Sequence, residues 1–187
     1  MLKVTVLCGN PKPGSRTLKI AETLVSRLLP PGGYAMTTID LAEHAGQIFE
    51  WPSDDMVALN QVVVQSDLLV VASPTYKATY TGLLKGFLDR YAADGLAQVV
   101  AIPVMTGGDL RHAMGPEVNL RPLLVELGAA VPTRALYFVM SDMEKLEERI
   151  DEWIVTNAAL LRSSATVAAA LPESSADSTA LGAQVAR

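Results

Sequence analysis

Three short stretches of the 187-residue chain concentrate the residues able to bind a ligand or react with one. The first, GNPKPGSRT, runs from Gly9 to Thr17 and follows the apolar run KVTVLC. Gly9, four residues and Gly14 reproduce half of a nucleoside triphosphate P-loop, whose next residue must be a Lys reaching the β- and γ-phosphates. Ser15 takes that place here, so the loop suits a ligand that ends in one phosphate. Its donors are the N–H groups of a helix start, which lack intrahelical partners and favour anions. Around them stand the hydroxyls of Ser15 and Thr17, the Arg16 guanidinium, Asn10 and Lys12. The same residues also read as a plain helix entry, with Ser15 or Thr17 as cap and Gly14 in a turn.

The second stretch, SPTYKATYTG, spans Ser73 to Gly82. Pro74 holds Ser73 extended, and Tyr76 and Tyr80 bracket Lys77 beside Thr75, a set that can border a flat conjugated ligand. Both tyrosines can equally pack on neighbouring helices or a partner subunit. In the third, TGGDLRHA, Thr106 offers a hydroxyl and Gly107 and Gly108 let bare backbone N–H groups approach a ligand. Arg111 is a candidate cation for a nucleotide 2′-phosphate. His112 has no Ser or Asp triad partner nearby and His44 is remote, so hydrolysis is not expected. Nor is a metal, because no Cys/His cluster has ligand spacing.

These stretches must be positioned by regular elements. Near-continuous apolar runs at 3–8, 68–72, 98–105 and 134–140, with 34–40, read as strands buried on both faces, the mark of a parallel sheet. Helical periodicity covers 17–29, 54–65, 81–91, 117–128 and 143–161. Leu18, Ala21, Leu24, Val25 and Leu28 face inward from the first helix. Ser53 and Asp54 are candidate caps of the second. In the last, MEKLEERIDE is a solvated face, with Leu146, Ile150, Trp153 and Ile154 turned inward. Five strands alternating with five helices give an α/β three-layer sandwich with the flavodoxin-like strand order 2-1-3-4-5. The three stretches then follow adjacent strands 1, 3 and 4 at their carboxyl ends, where ligands of open sheets collect. Residues 1–162 form this domain. The Ala/Ser-rich segment 163–187 is a tail expected to be weakly ordered. Cys8 reads as a small buried hydrophobe, and Trp51 as a lid or interface residue.

A net charge of −5 argues against a nucleic-acid partner. No stretch reaches the roughly 18 apolar residues of a membrane span, and the N-terminus lacks a signal-peptide core. With one cysteine and hence no internal disulfide, a soluble cytoplasmic protein is expected.

Taken together, GNPKPGSRT, SPTYKATYTGLLKGFLDRY and TGGDLRHA followed by LRPLLVELGA resemble the NAD(P)H-dependent FMN reductase family, most of all the reductases of two-component alkanesulfonate monooxygenases. The likeness spans roughly residues 2 to 160. Its specific part is the P-x-Y-K-A-x-Y-x-G-x-L-K pattern. The resemblance implies hydride transfer from NADH or NADPH to FMN, which then serves a flavin-dependent monooxygenase. It implies the FMN phosphate near Ser15, Arg16 and Thr17, and the ring against Pro74, Thr75, Tyr76 and Lys77. Thr106, Gly107 and Gly108 would meet the pyrimidine edge, and His112 stands where these relatives often carry His; Tyr80, Arg111 and His112 are the candidate substrate-binding residues. Loop 3 N–H groups would serve the N1/C2 edge and those of loop 2 would face N5; no catalytic side chain is required. A homodimer or homotetramer is implied, with the helix after the second stretch at the contact. The chain departs from those relatives at Val118, where Tyr or His is frequent, and at Gly9-Asn10-Pro11, where Gly-Ser-x-Arg is usual and Lys12 is the candidate replacement. The rival readings are an FMN-bound quinone, azo or metal-ion reductase and an electron carrier. Lys12, Arg16, Lys77 and Arg111 against Asp109 give a positive excess that suits a dinucleotide better than a carrier.

Overall fold

The computed structural model describes residues 1–162; segment 163–187, expected as a tail, lies outside the described residues. Strands β1 (Leu2–Cys8), β2 (Tyr34–Asp40), β3 (Leu68–Pro74), β4 (Val100–Gly107) and β5 (Leu136–Val139) form one parallel sheet in the order β2-β1-β3-β4-β5. Between them run α1 (Arg16–Leu28), α2 (Asp54–Val64), α3 (Gly82–Leu88) and α4 (Arg121–Glu126), and α5 (Leu146–Leu161) follows β5. The expected fold class and strand order are those observed.

Alternation along the strands divides the core into two layers. Leu68, Val70 and Ala72 of β3 pack with α1 and α5, while Leu69 and Val71 pack with α2, α3 and α4. Because helices cover both faces, every residue of β3 and β4 is buried. Edge strand β2 is exposed through its middle. Arg27 of α1 pairs with Glu147 and Asp151 of α5 across the first layer.

Several boundaries differ from those read in the sequence, for local reasons. β3 and β4 run two residues further, because Pro74 pairs with Thr106 and the Thr75 N–H donates to the Thr106 carbonyl at 2.7 Å. α3 stops at Leu88 rather than 91. The segment expected as one helix over 117–128 opens with a π turn, Pro116–Leu120, in which the Arg121 N–H reaches back to the Pro116 carbonyl. Pro122 has no N–H to continue that ladder, and the chain enters the α register there. A 3-10 turn, Met140–Lys145, precedes α5. Leu146, Ile150 and Trp153 are buried on the inner face of α5, as expected, and Ile154 partly so.

Candidate functional site

The carboxyl ends of the strands enclose a cavity of about 570 Å³. All residues expected to bind a cofactor line it except Lys77: Asn10, Lys12, Ser15, Arg16 and Thr17 from the first loop, Pro74, Thr75 and Tyr76 from the second, and Thr106, Gly107 and Gly108 from the third. Gly14 and Met140 complete the wall. Met140 follows β5, a strand end that the sequence reading did not count among the site loops.

The first loop is shaped from outside the cavity. Gly9 is tight against α3, since a Cβ there would overlap the Cβ of Leu84, and its carbonyl accepts from the Thr81 hydroxyl at 2.5 Å. Gly14 has φ +59, a value unfavourable for other residues. Its N–H donates to the buried carboxylate of Asp40 at 2.9 Å, so Asp40, at the end of β2, holds the turn. Ser15 is the cap of α1, accepting from the Leu18 N–H at 3.2 Å. That settles which hydroxyl caps the helix, and it frees the Thr17 hydroxyl for the cavity floor. There it lies 2.9 Å from the Thr106 hydroxyl and accepts from the Asn10 amide at 3.1 Å. The first loop and β4 are thereby joined beneath the cavity.

In the second loop Tyr76 and Thr79 face each other across a two-residue turn, bonded at 2.9 and 3.3 Å. The N–H groups of Thr75 and Tyr76 are both engaged by backbone carbonyls, so the donors expected of this loop are not these two. The Thr75 hydroxyl is buried without a partner. Lys77 sits on the exposed turn, and Tyr80 packs on the layer of α2, α3 and α4. In the third loop Tyr137 of β5 donates its hydroxyl to the Asp109 carbonyl at 2.8 Å. Arg111 is paired with Asp109, at 2.9 and 2.6 Å, and these bonds hold the Asp109 carboxyl down at about 2. The positive excess at the rim thus rests on Lys12, Arg16 and Lys77. His112 lies in an exposed 3-10 turn outside the lining. Asp40, Tyr137 and Met140 were not singled out from the sequence; Asp40 ends strand 2, Met140 follows strand 5 and Tyr137 lies within it, and nothing else marks them.

Chemically, this is an anion cup at a helix N-terminus joined to a slot floored by hydroxyls and walled by Pro74, Tyr76 and Met140. Among the described residues no three His, Cys, Asp or Glu side chains gather to hold a metal. No helix among them is long and apolar enough to cross a membrane. Cys8, beneath the cup, is wholly buried and burial pushes its thiol up to about 11. Trp51 is exposed and lies over the Arg90 guanidinium, 3.9 Å from ring centroid to Cζ.

The profile of the NADPH-dependent FMN reductases matches residues 2–143. The NADH-dependent FMN reductase SfnF of Pseudomonas fluorescens (strain Pf0-1) is 33% identical over 147 residues, 75% of this chain and 78% of that protein. The FMN reductase (NADPH) of Pseudomonas aeruginosa (strain PAO1) is 32% identical over 127 residues, covering 65% and 68% respectively. Among solved structures, an NADH:FMN oxidoreductase (EMOB) in its apo form superposes with a TM-score of 0.71 at 25% identity, over 84% of this chain and 90% of that one.

Proposed function

Because the chain belongs to the NADPH-dependent FMN reductase family, we propose that its strand-end cup receives FMN with the phosphate at the start of α1. The activity is reduction of FMN by a nicotinamide nucleotide, NADH or NADPH. The observation that carries this reading of the site is the cup itself, where Ser15, Arg16, Thr17 and Lys12 surround a helix N-terminus that lacks a P-loop lysine. The ring end fits too. A Cβ at Gly108 would meet nothing within 4 Å, which leaves room for a flat group, and the buried Thr75 hydroxyl needs a polar partner.

Bound FMN supplies a two-electron acceptor for the nicotinamide. The chain's own task is to bind and orient. Ser15, Arg16 and the first N–H groups of α1 hold the phosphate; Thr17 and Thr106 present hydroxyls to the polar chain between phosphate and ring. Pro74 and Tyr76 shape the slot, and the Gly107–Gly108 backbone offers donors to the ring edge. Titration of the protein with FMN, followed by flavin fluorescence, gives saturable binding in this reading. Anaerobic addition of NADH or NADPH then bleaches the flavin absorbance, and no bleaching with either nucleotide would refute it.

FMN acts here as a substrate that leaves reduced, for a flavin-dependent monooxygenase in the cytoplasm. Support comes from relatives named as FMN reductases. Saturable dependence of NAD(P)H oxidation on free FMN is the expected result, whereas quinone or azo-dye turnover without added flavin would replace this reading with a resident cofactor. The assembly is a homodimer or homotetramer, supported by exposed Phe49 and Trp51, beside α3 and Arg90 respectively. Sedimentation measures it, and a monomer at all concentrations would exclude it.

A further inference from the structure

The second loop carries backbone strain that its own sequence does not explain. Tyr76 and Thr79 close a two-residue hairpin, and both residues at its tip have positive φ, Lys77 at 53° and Ala78 at 71°. A two-residue turn with both φ values positive favours Asn-Gly, because there a Cβ crowds the following carbonyl oxygen, which Gly escapes and the short polar side chain of Asn offsets by local hydrogen bonds. Lys-Ala is a poor choice for it. Such a conformation persists only where surrounding groups hold it.

The holding group comes from the π turn. Asn119 donates its side-chain amide to the Ala78 carbonyl at 3.1 Å. Residues two apart on a helical turn point to nearly opposite sides, and Glu117 accordingly faces the other way. It binds Arg121 at 2.5 Å and accepts from the Ala135 N–H at 2.7 Å, just before β5. Arg121 in turn donates to the Val131 and Thr133 carbonyls. The π turn is thus fixed to the body of the fold on one side and reaches the hairpin tip with Asn119 on the other.

We propose that Asn119 is a positioning residue: it latches the strained Lys77–Ala78 tip and thereby sets Tyr76, half exposed at the cavity wall, against the flavin ring. The ligand part of this inference rests on the reading that the cup receives FMN; the latch itself does not. Asn119 touches neither cavity nor ligand and acts only through Ala78.

The test uses the full chain. Asn119→Asp keeps the shape but removes the donor, so trypsin should cut after exposed Lys77 in the native protein roughly tenfold faster. FMN and riboflavin should both bind several-fold more weakly and by the same factor, since the latch acts at the ring end and not at the phosphate. Adding Ala78→Gly, which relieves the strain at the tip, should return cleavage and affinity to near the wild-type values. Asn119→Ala should behave as Asn119→Asp, and circular dichroism reports that each variant folds. Unchanged cleavage in both Asn119 variants would overturn the latch, as would a defect that Ala78→Gly does not relieve. If wild-type protein bound no FMN, the ligand reading would fail while the cleavage arm still decided the latch.

Discussion

The hydroxyl of Tyr137 occupies the space that a side chain at Gly107 would need: a Cβ there would overlap the hydroxyl and stand 2.8 Å from Cζ. The same hydroxyl donates to the Asp109 carbonyl, so one phenol from β5 both excludes a side chain from the third loop and ties the loop down. Gly107→Ala should destabilise the fold by about 1–3 kcal/mol through overpacking and weaken FMN binding. Tyr137→Phe alone should lose about 0.5–1.5 kcal/mol with the hydrogen bond. Because the two residues meet, the double variant should cost less than the sum. Denaturant melts and flavin titrations of the three variants measure this.

Ser15 caps α1 and is proposed to meet the phosphate, and substitution separates the two. Ser15→Ala removes the cap of α1 and should cost about 1 kcal/mol of stability. Ser15→Asp retains a capping oxygen for the Leu18 N–H but sets a carboxylate against the proposed phosphate. It should therefore melt close to wild type while losing FMN affinity at least tenfold, with riboflavin affinity little changed. Equal loss for both flavins would remove Ser15 from the phosphate site.

Glu117 gives the fold a predictable response to acid. Hydrogen bonds from Arg121, together with the Ala135 N–H, hold its carboxyl below the ordinary 4.5. A lowered folded value means that the stabilisation is present above pH 4.5 and is lost as pH falls through the lowered value. Thermal melts of wild type should fall more steeply below about pH 4.5 than those of Glu117→Gln, which has no carboxyl to titrate and should be less stable at neutral pH. Parallel curves would contradict the assignment.

Cys8 should be silent toward thiol reagents. Burial raises its thiol from the ordinary 9.0 to about 11, so the neutral form contributes stability below pH 9.0 and that contribution is lost as pH rises through the folded value. Alkylation at about pH 8 should then follow the unfolded fraction across a denaturant titration. Rapid labelling of native protein would show that the thiol beneath the cup is open to solvent.

Strand order and the meeting of three loops were legible because apolar runs such as LLVVA announce doubly covered strands and the turn residues between them stand at strand ends. The residues that line the strand-end cup were legible from their types, though not the division of labour among them. Ser15 and Thr17 are two residues apart, and only the helix start decides that one caps while the other faces Thr106. Supporting residues were hidden for a different reason. Asp40, Asn119 and Tyr137 act over sequence separations of 26, 41 and 28 residues, and nothing local marks them. The π turn was concealed by periodicity, since an apolar pattern reports a buried face and not the hydrogen-bond register beneath it.

The sheet keeps two core layers apart, with α1 and α5 on one side and α2, α3 and α4 on the other. The first loop leads into α1, whereas the second leads into α3 and the third toward α4. A ligand across the strand ends therefore spans both layers, and its binding free energy opposes the opening of either. Amide exchange should slow together at Ile20–Val25 and at Leu84–Leu88, two segments buried in opposite halves of the molecule. Occupancy of one cleft would in this way be registered on both sides of the sheet.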